Sequence, residues 1–77
     1  MEKDLVEYIV KSLVDDPASV EVTVIEGEKS TILELRAAAA DIGKIIGKHG
    51  RVVKAIRTVL QAAAPKTGKH TVLEILD

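Results

Sequence analysis

The sequence predicts an α+β domain with the order α-β-β-α-α-β, a three-stranded mixed sheet with helices packed on one face. Three observations carry this. Apolar residues recur at helical spacing in two segments, one near each end of the chain. Two runs between residues 20 and 36 are strand-like and flank a polar turn that contains glycine. A last apolar run, Thr71 to Leu76, follows the breaker cluster Pro65-Lys66-Thr67-Gly68-Lys69. With 77 residues, a single domain spanning 1–77 is expected.

The first helix is read over residues 4–14. Leu5, Val6, Ile9, Val10, Leu13 and Val14 sweep one half of the wheel, while Asp4, Glu7 and Lys11 occupy the other. Asp15-Asp16-Pro17 ends it, because proline cannot continue a helix. Val20, Val22 and Val24 then alternate with Glu21 and Thr23, the pattern of a half-buried strand. The turn Glu26 to Ser30 leads into a second strand, Thr31 to Arg36, with Ile32, Leu33 and Leu35 apolar. So short a turn makes the pair an antiparallel hairpin.

Ala37 to Ala40 is ambiguous, since alanine favours helix but directly follows a strand. Asp41 is an N-cap candidate for a short helix over Ile42 to Ile46. Gly47-Lys48-His49-Gly50 interrupts that helix, and a longer one runs from Arg51 to about Ala63. Val52, Val53, Ile56, Val59, Leu60 and Ala63 share its core arc, with Arg51, Lys54, Arg57, Thr58 and Gln61 opposite. A helical crossover joins the second strand to the third, which implies parallel pairing with a right-handed connection.

Composition narrows the chemistry. There is no cysteine, so no disulfide framework or thiolate metal site, and two histidines are too few for a zinc centre. No cofactor is expected. No apolar run reaches membrane-spanning length and the N-terminus lacks a signal-peptide pattern, so cytoplasmic residence without membrane association is expected. The formal charge is −1 overall but is unevenly distributed. Residues 41–58 carry Lys44, Lys48, Arg51, Lys54 and Arg57 against Asp41 alone, a net +4. The remainder holds six cations and eleven acids, a net −5. One basic segment on an acidic body indicates a local anion site or, more blandly, a solvated helix face.

Two glycines three apart let a backbone turn sharply and approach another backbone closely. Amides of the following helix's first turn lie at the positive end of its dipole, where phosphate binds readily. Lys48 places a full charge at the loop tip, and Arg51 and Lys54 extend it along the exposed helix face. A lone Gly-x-x-Gly says little; a helix before it, a basic amphipathic helix after it and a hairpin upstream give it context.

Asp41-Ile42-Gly43-Lys44-Ile45-Ile46-Gly47-Lys48-His49-Gly50-Arg51 resembles the signature of KH domains, whose Gly-x-x-Gly loop clamps about four nucleotides of single strand. The resemblance covers the whole chain, and the element order is similar to the type II KH arrangement. Leu5 to Lys11 and Ala55 to Thr58 further resemble the small bacterial single-KH family KhpA. This resemblance implies a bacterial protein that binds single-stranded RNA and acts as a homodimer or with a KH-containing partner resembling KhpB. It also implies a role as post-transcriptional regulator or RNA chaperone, with effects on cell shape, elongation and division in some bacteria. The RNA-binding residues it implies are Gly47, Lys48, His49, Gly50, Arg51, Lys54, Lys44 and Ile46. Ile42 and Ile45 are further candidates for an aliphatic groove floor, and Arg36 for a base or phosphate contact. Where this chain has Ala39-Ala40, relatives often carry a proline and an acidic residue, which leaves the start of the first core helix open within 37–41.

Rival classes fit less well. A P-loop needs four residues between its glycines and Ser or Thr after its lysine; Gly43-x-x-x-Gly47-Lys48-His49 has neither. No nucleophile–base set is suggested, so catalysis is not expected. Tyr8 is the only aromatic residue, which removes the stacking platforms of RRM and OB-type domains. Single-stranded DNA is not excluded by this chemistry. A protein-interaction or dimerisation module, with nucleic-acid binding secondary, remains the alternative.

Overall fold

The structure is a computed structural model and describes residues 2–63 and 70–76. The breaker cluster at 65–69 lies outside the described residues. Helix α1 runs Glu2–Leu13, and a 3-10 turn at Pro17–Ser19 leads into strand β1, Glu21–Glu26. Strand β2, Ser30–Arg36, is followed by a 3-10 turn at Ala39–Asp41 and helix α2, Ile42–Ile46. A further 3-10 turn, Lys48–Gly50, opens onto helix α3, Arg51–Ala63, and strand β3, His70–Leu76, closes the order. The predicted fold class is the one observed, with α1 beginning earlier than its apolar stripe.

The sheet order is β1-β2-β3. Strands β1 and β2 pair antiparallel, with Val22 opposite Leu35 and Glu26 opposite Thr31. Strand β3 lies parallel to β2, with Ser30 beside His70 and Leu33 beside Leu73. Parallel strands cannot be joined by a tight turn; here the α2–α3 unit makes the crossover.

Side chains on successive strand residues point to opposite faces. Val22, Leu33, Leu35 and Leu73 therefore share the covered face, and all are buried. Val6 and Val10 of α1, Ile45 of α2, and Val53, Ile56 and Leu60 of α3 complete the core over them. The predicted stripes locate these contacts but extend beyond them. Leu13, Val24 and Val59 belong to the expected apolar faces yet remain 40%, 39% and 42% exposed. Val24 lies on an edge strand, and Leu13 and Val59 face an open furrow between α1 and α3. Periodicity shows which way a residue points, not whether another layer reaches it.

Candidate nucleic-acid interface

Helix α2 ends at Gly47, whose N–H donates to the Gly43 carbonyl at 2.8 Å. Gly47 turns the chain with φ 77° and ψ 171°, a left-handed backbone that L side chains avoid. A Cβ there would lie 2.9 Å from the Val52 backbone nitrogen and 2.8 Å from the Val52 Cβ. The first turn of α3 thus presses directly on this peptide. Only glycine fits.

Lys48, His49 and Gly50 form one tight turn. His49 has φ 57° and ψ 25°, and Gly50 has φ 74°. Gly50 N–H donates to the Gly47 carbonyl at 3.1 Å, and Arg51 N–H donates to the Lys48 carbonyl. These two amides close the loop and are not left free at the helix start. The N–H groups of Lys48 and His49 take no part in that closure, and both side chains are exposed.

The cations divide into two sets. Lys48, Arg51 and Lys54 are exposed and make no ion pair among the described residues. Arg51 and Lys54 lie one turn apart on α3, directly after the loop. Arg57, on the same basic arc, donates to the Leu73 carbonyl at 3.2 Å and is tied to the sheet. Lys44 donates to Asp15 Oδ2 and lies 3.7 Å from Asp41 Oδ1. Its ammonium is held above the ordinary lysine range, first by the Asp15 hydrogen bond, against a smaller opposing effect of desolvation.

Asp41 stands where the sequence predicts, but its side chain does other work. It occupies the N-cap position of α2, but its side chain makes no capping bond. Its carboxylate, 2% exposed, accepts from Asp15 N–H at 3.2 Å and Asp16 N–H at 3.1 Å. The signal available was its isolation: it is the one acid in the basic segment 41–58. An ion there is buried only when it is paired or hydrogen-bonded.

The aliphatic candidates also separate. Ile45 is fully buried and belongs to the core, whereas Ile46, next to the loop, is 38% exposed. Ile42 is half-buried and lines a shallow cavity with Ala37, Ala39 and Gly43. Arg36 is exposed at the end of β2. The loop therefore unites Gly47, Lys48, His49, Gly50, Arg51, Lys54 and Ile46 in one continuous stretch, and Lys44 is drawn aside by its carboxylates. Among the described residues no group of three His, Asp or Glu side chains is placed to hold a metal. None of the described helices is long and apolar enough to cross a membrane.

A closed Gly-x-x-Gly turn between a short and a long helix, on an α-β-β-α-α-β scaffold, defines the class of the KH domain. Residues 3–75 match the family described as KhpA/KhpB, KH domain. The chain belongs to that family. It is 60% identical over 76 residues to the RNA-binding protein KhpA of Borreliella burgdorferi, covering 99% of this chain and 93% of that protein. Identity to the RNA-binding protein KhpA of Clostridium acetobutylicum is 57% over 74 residues, 96% of this chain and 99% of the relative. The Aquifex aeolicus protein of the same name is 53% identical over 75 residues, 97% and 95% of the two chains.

Proposed function

We propose that this protein binds single-stranded RNA across the Gly47–Gly50 turn, without catalysis, and acts in the cytoplasm as a post-transcriptional regulator or RNA chaperone. The observation that carries the reading is the turn itself: a glycine-dependent backbone knot with Lys48, Arg51 and Lys54 beside it, none of them ion-paired among the described residues. The names of the relatives support it. A sugar-phosphate chain lying over the turn meets backbone and His49 at the tip, cations on α3, and the exposed Ile46 on the α2 side.

With about three phosphates neutralised, log K should fall against log salt with a slope near −2. Titration with short oligoribonucleotides should shift the amide resonances of residues 47–51. Replacing Lys48 and His49 together by Asp should abolish binding and leave the fold intact. Unmoved resonances at 47–51, or a slope near zero, would refute the reading.

One observation favours a second, compatible activity. Ile9, Leu13, Val52, Ala55, Ile56 and Val59 line an apolar furrow of about 360 Å³ between α1 and α3, bordered by Arg51. Leu13 and Val59 keep apolar surface open along it that a partner would cover. This furrow suits a homodimer, or pairing with a KH-containing partner resembling KhpB. A dimer would carry two loops in one assembly and raise the affinity of a weak single site through effective concentration. The Lys48/His49 double replacement separates the two activities, because self-association should survive it.

A further inference from the structure

We infer that Asp41 and Lys44 are positioning residues that set the direction of α2 and so aim the Gly47–Gly50 turn, and that Lys44 makes no contact with the phosphate chain. The inference rests on the RNA-binding reading and assigns the labour within that site.

Helix α2 has five residues, far fewer than the ~12–15 a helix needs to persist without outside support. Its orientation must come from what it is attached to. Ile45, fully buried, and Ile42, half-buried against the same core, supply the apolar attachment. Apolar packing of so short a helix leaves its axis weakly defined. The second attachment is polar and sits at the opposite end of the helix from the turn. Asp41, immediately before α2, uses both carboxylate oxygens on the Asp15 and Asp16 amides, 26 and 25 residues away in the chain. That fastens the start of α2 to the segment between α1 and β1. Lys44, three residues after Asp41, closes the same cluster by reaching Asp15 as well as Asp41.

The charges in this cluster also argue against a phosphate role for Lys44. Asp15, Asp41 and Lys44 together carry a net −1, so as a unit they repel an anion. To meet a phosphate, the ammonium would have to leave two carboxylates, one of them buried. Lys48, Arg51 and Lys54 have no such commitment among the described residues. The lysine nearest in sequence to the first loop glycine on the α2 side is therefore a strut.

Salt dependence separates a strut from a contact, because each phosphate contact on a single strand contributes about 0.7 to the slope. The probe is a random pool of short oligoribonucleotides, titrated at several salt concentrations. Lys48→Gln should flatten the slope by about 0.7. Lys44→Gln should keep the wild-type slope while affinity falls on the order of threefold to tenfold through misplacement of the turn. Lys44→Arg, which can still bridge the carboxylates, should restore the affinity. Asp15→Asn provides a second handle that leaves α2 untouched: it should also lower affinity at constant slope. The inference is overturned if Lys44→Gln flattens the slope as Lys48→Gln does, if it leaves affinity unchanged, or if Asp15→Asn tightens binding with a steeper slope. Loss of salt-dependent binding in the wild-type protein would instead remove the RNA reading, and this inference with it.

Discussion

The two ends of the Gly47–Gly50 turn are held by different physics. On the far side, α3 is thirteen residues long and lies on the sheet through an apolar stripe, Val53, Ile56 and Leu60. Such a helix is placed by area, and many small contacts average out local errors. On the near side, α2 is five residues long and relies on Ile45, the half-buried Ile42 and a buried carboxylate. The glycines repeat the contrast. Gly47, on the α2 side, is wedged against Val52, whereas a Cβ at Gly50 would find nothing nearer than 4.0 Å. A loop can therefore be tightly packed at one end and permissive at the other. In this molecule the short helix bears the tighter constraints.

The largest effect should come from Gly47→Ala. The new methyl group meets the backbone nitrogen of Val52, which belongs to α3 and cannot step aside without carrying the helix with it. Overpacking of this kind costs about 1–3 kcal/mol. The backbone there, φ 77° and ψ 171°, lies in a region essentially reserved for glycine and adds about 1–3 kcal/mol for any residue with a Cβ. Together they take a large fraction of the roughly 4–12 kcal/mol available to a domain of this size. The urea midpoint should drop sharply, and the mutant should be unfolded or partly so at 37 °C. A stability within about 1 kcal/mol of wild type would show that α3 is not seated on this peptide as the geometry indicates.

Asp41→Ala should come next. It leaves the Asp15 and Asp16 amides without their acceptor in a part-buried site. At about 1 kcal/mol for each such donor, the loss is about 2 kcal/mol. Urea denaturation should show a lower midpoint at unchanged slope, and hydrogen exchange at Asp15 and Asp16 should accelerate more than at Leu33 or Leu73 in the core. If exchange rises equally everywhere, the carboxylate stabilises the whole fold and is no local fastening.

What the sequence disclosed follows the same division. Whatever depends on local periodicity could be read from it: the hairpin, the parallel third strand and the core face of α3 around Val53, Ile56 and Leu60. So could the loop, because two glycines between helices leave the chain few alternatives. Asp41 was not legible, since an acid directly before a helix is locally an N-cap, and its actual partners lie 25 and 26 residues upstream. Lys44 posed the same difficulty. It was counted with the basic segment because nothing local reveals that Asp15 is within reach. Leu13 and Val59 show a third kind of loss: their helical phase is right, and only the edge of the packed layer decides that they stay exposed.

The smallest expected effect is the most informative about the turn. At Gly50 a Cβ would have the Lys54 Cε and Val53 Cγ1 at 4.0 Å, ordinary contact, so Gly50→Ala pays only for φ 74°. That is about 1 kcal/mol, a shift in Tm of roughly 4–8 °C. The fold should survive, with α3 still opened by the Arg51 N–H to Lys48 carbonyl bond. RNA affinity should fall by more than the loss of stability would suggest, because the methyl group stands where a sugar-phosphate backbone has to come close. Stability and binding thus part company at Gly50 and fall together at Gly47. Equal loss of both at Gly50 would mean that the permissive end of the turn is as constrained as the other, and that the nucleic acid does not approach the backbone there.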